Sequence, residues 1–236
     1  MGNAVRVVVR TIGELLITAG VVLMLFLVWQ LWWTDVVADR AQAETVAELS
    51  AIFETEPPPP PPAPEEPEEP GITAMVPTGE AFAIVRIPRF GDDYARPIIE
   101  GTDLDVLEKG VGHYVGTAMP GEVGNFAIAG HRTTYGRPFH FIHELQPGDP
   151  IVIETAEAYT IYEMRRHQIV FPTETRVIAP VPDEPAGEPS EAWLTMTSCH
   201  PIYGSRERYI VHAELTETIA RESGVVPDRV AEILRG

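Results

Sequence analysis

The 236-residue sequence holds a single cysteine, Cys199. An intrachain disulfide, a CxxC redox pair and a multi-cysteine zinc site are all excluded, and any chemistry at sulfur belongs to that one thiol. Basic residues are also scarce, since Lys+Arg 17 against Asp+Glu 35 gives a formal charge of −18. Beyond residue 78 the balance is 14 basic residues against 24 acidic ones, which repels phosphate backbones and argues that the protein has no nucleic acid partner. Apolar residues make up 44% of the chain. They are unevenly spread, with an apolar block near one end and an acidic, proline-rich block beside it, so the chain does not read as a plain cytosolic protein.

Leu15 to Trp33 carries no charge, within an apolar run that starts at Ile12. As a helix this run is about 33 Å long, a match to a hydrocarbon core of about 30 Å. Arg6 and Arg10 precede it, Asp35 and Asp39 follow, and Trp29, Trp32 and Trp33 crowd its far end. The charge flanks place the N-terminus in the cytoplasm, and the tryptophans mark the outer headgroup layer. The competing reading is a cleaved signal peptide with Ala41-Gln42-Ala43 as its processing site, but the apolar stretch exceeds a usual signal core and that tripeptide lies well beyond the tryptophans.

From Val36 to Phe53 the apolar residues have partial helical spacing, which predicts a membrane-proximal stalk. Pro57 to Pro62 is unbroken proline, and nine prolines fall within residues 57–70 with no basic residue among them. Such a segment builds no core and is expected to be an extended spacer, about 43 Å if fully extended, holding the folded domain away from the membrane. The expected organisation is a cytoplasmic N-terminus (1–11), a transmembrane helix (12–33), the stalk (34–56), a Pro/Glu-rich linker (57–77), a folded domain (78–218) and a C-terminal tail with a short helix (219–236). The protein is expected at the cell membrane, single-pass, with the folded domain extracytoplasmic.

The folded domain reads as mainly β. Short β-type runs at 82–88, 96–99, 126–129, 151–153, 159–170, 193–199 and 208–215 are bounded by Gly, Pro, Asp and Asn, the pattern of a barrel or sandwich. Helical signal is confined to 103–109, a turn near 139–145, and 228–234 behind Pro227.

The chemistry gathers at Cys199. Thr195 to Cys199 ends a strand, and period two puts Thr195, Thr197 and Cys199 on one face. A lone cysteine is commonly a small buried hydrophobe, but outside the cytoplasm a retained thiol risks oxidation, which argues that it has a task. A thiolate nucleophile needs a base or cation nearby and an oxyanion stabiliser. His200 adjoins Cys199 and so points to the opposite side. His131, at a strand end beside a turn-like loop, is the better base candidate, against the alternative of an ordinary surface histidine. Arg208, opening the last strand, is the cationic candidate, with Arg206 its near competitor. Asp183, Glu184, Glu188 and Glu191 lie in a proline-rich loop that could hold Ca²⁺ weakly. A solvated acidic loop is the expected reading, and neither a metal nor a cofactor is expected.

The runs Gly130-His131-Arg132-Thr133-Thr134-Tyr135-Gly136, Thr195-Met196-Thr197-Ser198-Cys199-His200-Pro201 and Arg208-Tyr209-Ile210-Val211-His212-Ala213 together resemble the sortases, most closely the class E group. The resemblance covers roughly residues 78–218, with Met196 in place of the usual Leu and Ser198 in place of the usual Thr. It implies an eight-stranded β-barrel with short helices, preceded by the transmembrane helix. It further implies a cysteine transpeptidase that cleaves an LPxTG-type or LAxTG-type C-terminal sorting signal between Thr and Gly. Cys199 would form the thioester, an amine of a peptidoglycan precursor would resolve it, His131 would shuttle the proton and Arg208 would steady the tetrahedral intermediates. The implied partners are secreted proteins bearing that signal and the amine-bearing precursor, in a Gram-positive bacterium. Tyr114, Thr197, Ser198 and Tyr135 are the candidate substrate-binding residues, Tyr114 as a reader of the signal's alanine. Two other readings stay open: a non-catalytic membrane-tethered wall-assembly protein, and a cysteine peptidase that only hydrolyses.

Overall fold

Alternation of inward apolar and outward residues recurs in every long β-type run, and a sheet with one apolar face must cover it. Here the sheet closes on itself, which also removes its edges. The computed structural model describes residues 2–55, 76–221 and 225–235. Eight strands form a closed barrel: β1 (Ala81–Arg86), β2 (Ala95–Glu100), β3 (Val111–His113), β4 (Gly124–Ala129), β5 (Pro150–Glu154), β6 (Ala158–Val170), β7 (Ala192–His200) and β8 (Glu207–Ala220). Their order around the barrel is β1-β2-β3-β4-β7-β8-β6-β5. Pairings are antiparallel except β2 with β3 and β4 with β7, which are parallel. The interior is filled by Val85, Ile98, Phe126, Ile128, Leu194, Met196, Val211 and their neighbours. Met196, the departure from the usual Leu, is fully buried there, as expected of a nearly volume-conserving exchange.

Each of the seven expected runs is a strand. β3 was not anticipated, because three residues containing a glycine carry no legible period, and β8 runs five residues beyond its expected end. The short helices fall where expected, as α2 (Leu104–Leu107), a 3₁₀ turn at Ile142–Glu144 and α3 (Asp228–Leu234). α3 packs Val230 against Val152, Tyr159 and Ile161 on the barrel's outer face.

The N-terminal element, α1 (Gly2–Thr55), is one continuous helix. No proline or glycine interrupts it between Val21 and Thr55, and it stops two residues before Pro57, since a residue preceding proline avoids the helical region. Its apolar part is long and apolar enough to cross a bilayer, with a mean hydropathy of 2.3 over 18 residues. Its second half packs along the barrel. Leu49 and Phe53 cover Ile84, Arg96 donates to Asp39 at 2.9 Å, and Arg137 pairs with Asp35 at 3.5 Å. Ala41-Gln42-Ala43 is mid-helix, with Gln42 buried and donating to the Tyr135 carbonyl at 2.9 Å. An ion pair with the barrel therefore stands two residues after Trp33. This corrects the expectation that the proline-rich linker, most of which lies outside the described residues, sets the distance between the apolar run and the folded domain. The helix itself sets it.

Candidate active site

Strand geometry brings the three chemical residues together. On β7 Leu194 and Met196 point into the barrel, so Thr195, Thr197 and Cys199 point out. On β8 Tyr209 and Val211 point in and Arg208 points out, and Cys199 is register partner to Arg208. β4 lies parallel to β7 on its other side, pairing Ala129 with Thr197, so the residues that follow β4, Gly130 and His131, arrive beside the cysteine. Two hydrogen bonds fix that arrival: Gly130 N–H donates to the Thr197 carbonyl at 3.1 Å, and Ser198 Oγ donates to the Gly130 carbonyl at 2.8 Å. Serine in place of threonine keeps this donor. Gly130 is required by space, since a Cβ there would stand 2.7 Å from the Phe139 ring.

His131, Cys199 and Arg208 line one cleft of about 270 Å³, together with Tyr114, Thr197, Ser198 and residues of α2. Tyr114 Oη and Thr197 Oγ1 lie 3.0 Å apart. An adjoining cavity runs from Tyr114, Thr197 and Arg208 under the loop Val170–Ile178, so the two together make a groove across the outer face of β7 and β8. Tyr135 is not among the residues lining this groove. Its ring centroid is 5.2 Å from that of His131, its phenol meets the Glu108 carboxylate, and it also borders a cavity beside α1.

His131 is half-buried, and its Nε2 has no hydrogen-bond partner among the described residues. Burial pushes its pKa below the usual histidine value, partly opposed by the Glu108 carboxylate, so the ring is neutral near pH 7, with a buried and unpartnered Nε2. The loop around it is held through successive carbonyls. Phe139 N–H donates to the His131 carbonyl at 3.0 Å, His140 Nδ1 to that of Arg132 at 2.9 Å, Gln42 to that of Tyr135, and Arg96 to that of Gly136 at 3.2 Å. Arg208 Nη1 donates to the Ser205 and Glu207 carbonyls, each at 3.0 Å, leaving Nε and Nη2 as the donors for a substrate. Arg206 is exposed and lines neither cavity.

Two further residues belong to the setting. Arg132 is buried, with its guanidinium 5.3 Å from the Tyr209 ring centroid. Its Nη1 donates at 3.2 Å both to the Cys199 carbonyl and to His200 Nδ1, so His200 faces away from the thiol as strand geometry requires. Burial lowers the Arg132 pKa. The only sequence signal for Arg132 was its adjacency to His131. Glu108, in the α2 turn, also pushes the Tyr135 phenol up, and nothing in the sequence marked it.

Beneath the site, Thr195 Oγ1 donates to Asn125 Oδ1 at 2.7 Å and lies 2.9 Å from His212 Nδ1. Gln168 Nε2 is 2.9 Å from His212 Nε2 and donates to Asp183 at 2.7 Å. Burial depresses His212 to a pKa of about 4. Asp183 is no solvated loop residue: it accepts from Arg166 at 2.6 Å and also pairs with Arg176. Burial pushes its carboxyl up, but the donors and cations outweigh this and hold it low. Glu184, Glu188 and Glu191 are exposed, and among the described residues no group of three His, Cys, Asp or Glu is arranged to hold a metal ion.

Fold and site define a class: a closed eight-stranded barrel carrying one thiol, a histidine and an arginine at the ends of three neighbouring strands. Comparison with known proteins gives the family. The sortase domain model matches residues 85–216. Sortase SrtE1 of Streptomyces coelicolor is 37% identical over 230 residues, 94% of this chain and 61% of that protein, so the chain spans less than two thirds of that relative's length. Sortase E of Streptomyces avermitilis superposes with a TM-score of 0.59 at 39% identity, over 66% of this chain and 99% of that one. Sortase E1 of S. coelicolor, crystallised with a tripeptide in the active site, gives 0.58 at 38% identity, over 64% of this chain and 96% of that one. The chain belongs to the sortase family, a family of cysteine transpeptidases.

Proposed function

We propose that this protein is a membrane-anchored cysteine transpeptidase of class E type that cleaves an LPxTG-type or LAxTG-type sorting signal between Thr and Gly. It then joins the new carboxyl end to an amine of a cell-wall precursor. The observation that carries this reading is the single cleft in which Cys199, His131 and Arg208 meet. In the proposed reaction Cys199 Sγ attacks the threonine carbonyl while neutral His131 takes the thiol proton. Arg208 Nε and Nη2 donate to the oxyanion that forms. The tetrahedral intermediate collapses, the C–N bond breaks, and His131 returns the proton to the leaving glycine amine. An incoming amine then attacks the thioester, His131 takes its proton, and the thiolate leaves and is reprotonated.

The groove formed by the two adjoining cavities suits an extended peptide, with Tyr114, Thr197 and Ser198 along its floor. The tripeptide bound in the S. coelicolor relative supports this use of the cleft. Residues 1–11 are cytoplasmic, 12–33 span the membrane of a Gram-positive cell, and the barrel is extracytoplasmic, a topology supported by the charge flanks and tryptophans. The test is product mass from an LAxTG peptide with and without an added amine. A peptide ending in Thr joined to the amine supports the reading. A free Thr carboxylate under both conditions identifies a hydrolase, and no turnover identifies a non-catalytic barrel.

A further inference from the structure

We infer that the cleft-bearing end of the barrel is seated on the bilayer interface, with the loop Thr133–Tyr135 and the turn carrying Tyr203 in the headgroup layer. This rests on the reading of α1 as a membrane span. Because α1 is one uninterrupted helix, its apolar part and its docked part share an axis, and the order of contacts along it orients the barrel. Asp35, about 3 Å along the axis from Trp33, meets Arg137 in the His131 loop. Gln42 meets the Tyr135 carbonyl in the same loop. Phe53, about 27 Å beyond Asp35, lies with Leu49 against Ile84 and near Ala156, towards the opposite end. The end of α1 next to the membrane therefore touches the loop that carries His131, and the barrel's far end points away.

Two observations name the occupant. A cavity of about 680 Å³ lies between Leu27, Gln30 and Thr34 of α1 and Thr133, Tyr135 and Tyr203 of the barrel. Leu27 lies within the apolar run, about 9 Å before Trp33 along the axis, so the barrel's loops reach past the tryptophans towards the acyl boundary. Tyr203, four residues after Cys199, is 89% exposed, an unusual setting for so large a ring in water. A phenol at that depth has its apolar body at the acyl boundary and its hydroxyl among headgroups, the placement such rings prefer. The seating brings the mouth of the cleft to the plane where a membrane-borne peptide or lipid-linked amine is held.

The test uses the full chain in nanodiscs containing nitroxide-labelled lipid. With Cys199→Ala removing the only native thiol, an environment-sensitive fluorophore is attached in turn to Val21→Cys, Tyr203→Cys and Glu157→Cys. All three positions are exposed, and Glu157 lies in the β5–β6 turn at the far end of the barrel. The expected result is loss of emission at 21 and 203 and none at 157. Quenching at 21 without quenching at 203 overturns the seating and leaves the span intact. No quenching at 21 overturns the span reading itself, and quenching at 157 would mean a barrel lying on its side. Protection of 203 from an aqueous quencher without lipid quenching would assign the surface to a second copy of the chain and also overturn the proposal.

Discussion

At the scale of single residues, the arginine at the cleft separates geometry from mere charge. Arg208 lines both halves of the groove, with one nitrogen already committed to two carbonyls. Lysine would keep the charge and lose the planar fork. Arg208→Lys is expected to lower kcat/KM by about 10²-fold or more with the sorting peptide, whereas Arg206→Lys should be close to silent. If the two exchange behaviour, the assignment of the oxyanion donor is wrong. His131→Ala is expected to cost about 10²–10⁴-fold, read from the same steady-state assay. His212 gives a different prediction, in stability. Its folded pKa of about 4 lies below the ordinary 6.5, so the unfolded chain binds the proton first. Stability should fall as pH drops from about 6.5 towards 4 and level off below, by a total of about 3 kcal/mol. His212→Gln should flatten that window in denaturant titrations at several pH values; an unchanged slope would show that other groups carry the acid sensitivity.

At the scale of elements, much was legible because period two survives in strands of five residues or more. The face that carries Thr195, Thr197 and Cys199 followed from alternation alone, and so did the turning away of His200. β3 was lost because Val111–His113 is too short to show a period. The docking of α1 was lost for another reason. Val37 and Ile52 are as apolar as Leu49 and Phe53 yet remain exposed, and a stripe of partial spacing cannot say which of its members meets a partner. Phe53 also lies under the Arg221 guanidinium, 5.2 Å from its ring centroid. Phe53→Ala is expected to destabilise the barrel by about 3 kcal/mol, and a fragment starting near Thr73 should melt below one starting at Thr34, because Ile84 loses its cover. Equal melting temperatures by calorimetry would mean that the helix merely rests on the barrel.

At the scale of the whole molecule, one continuous helix, one barrel and one thiol act together: the helix fixes the end of the barrel where β4, β7 and β8 converge, and the thiol sits there. Charge and composition point to an apolar span near the N-terminus, but only the packing of residues 35–53 shows that the helix carrying it meets the His131 loop directly. In the proposed reaction Cys199 forms a covalent acyl-enzyme by displacing the glycine of a sorting signal. Intact-protein mass spectrometry of the full chain, quenched in acid after brief exposure to an LAxTG peptide, tests it most directly. The expected result is a mass increase equal to the peptide acyl portion ending in threonine, present in the wild type and absent in Cys199→Ala. Peptide turnover that persists in Cys199→Ala, or an adduct mapped to any residue other than Cys199, would contradict it.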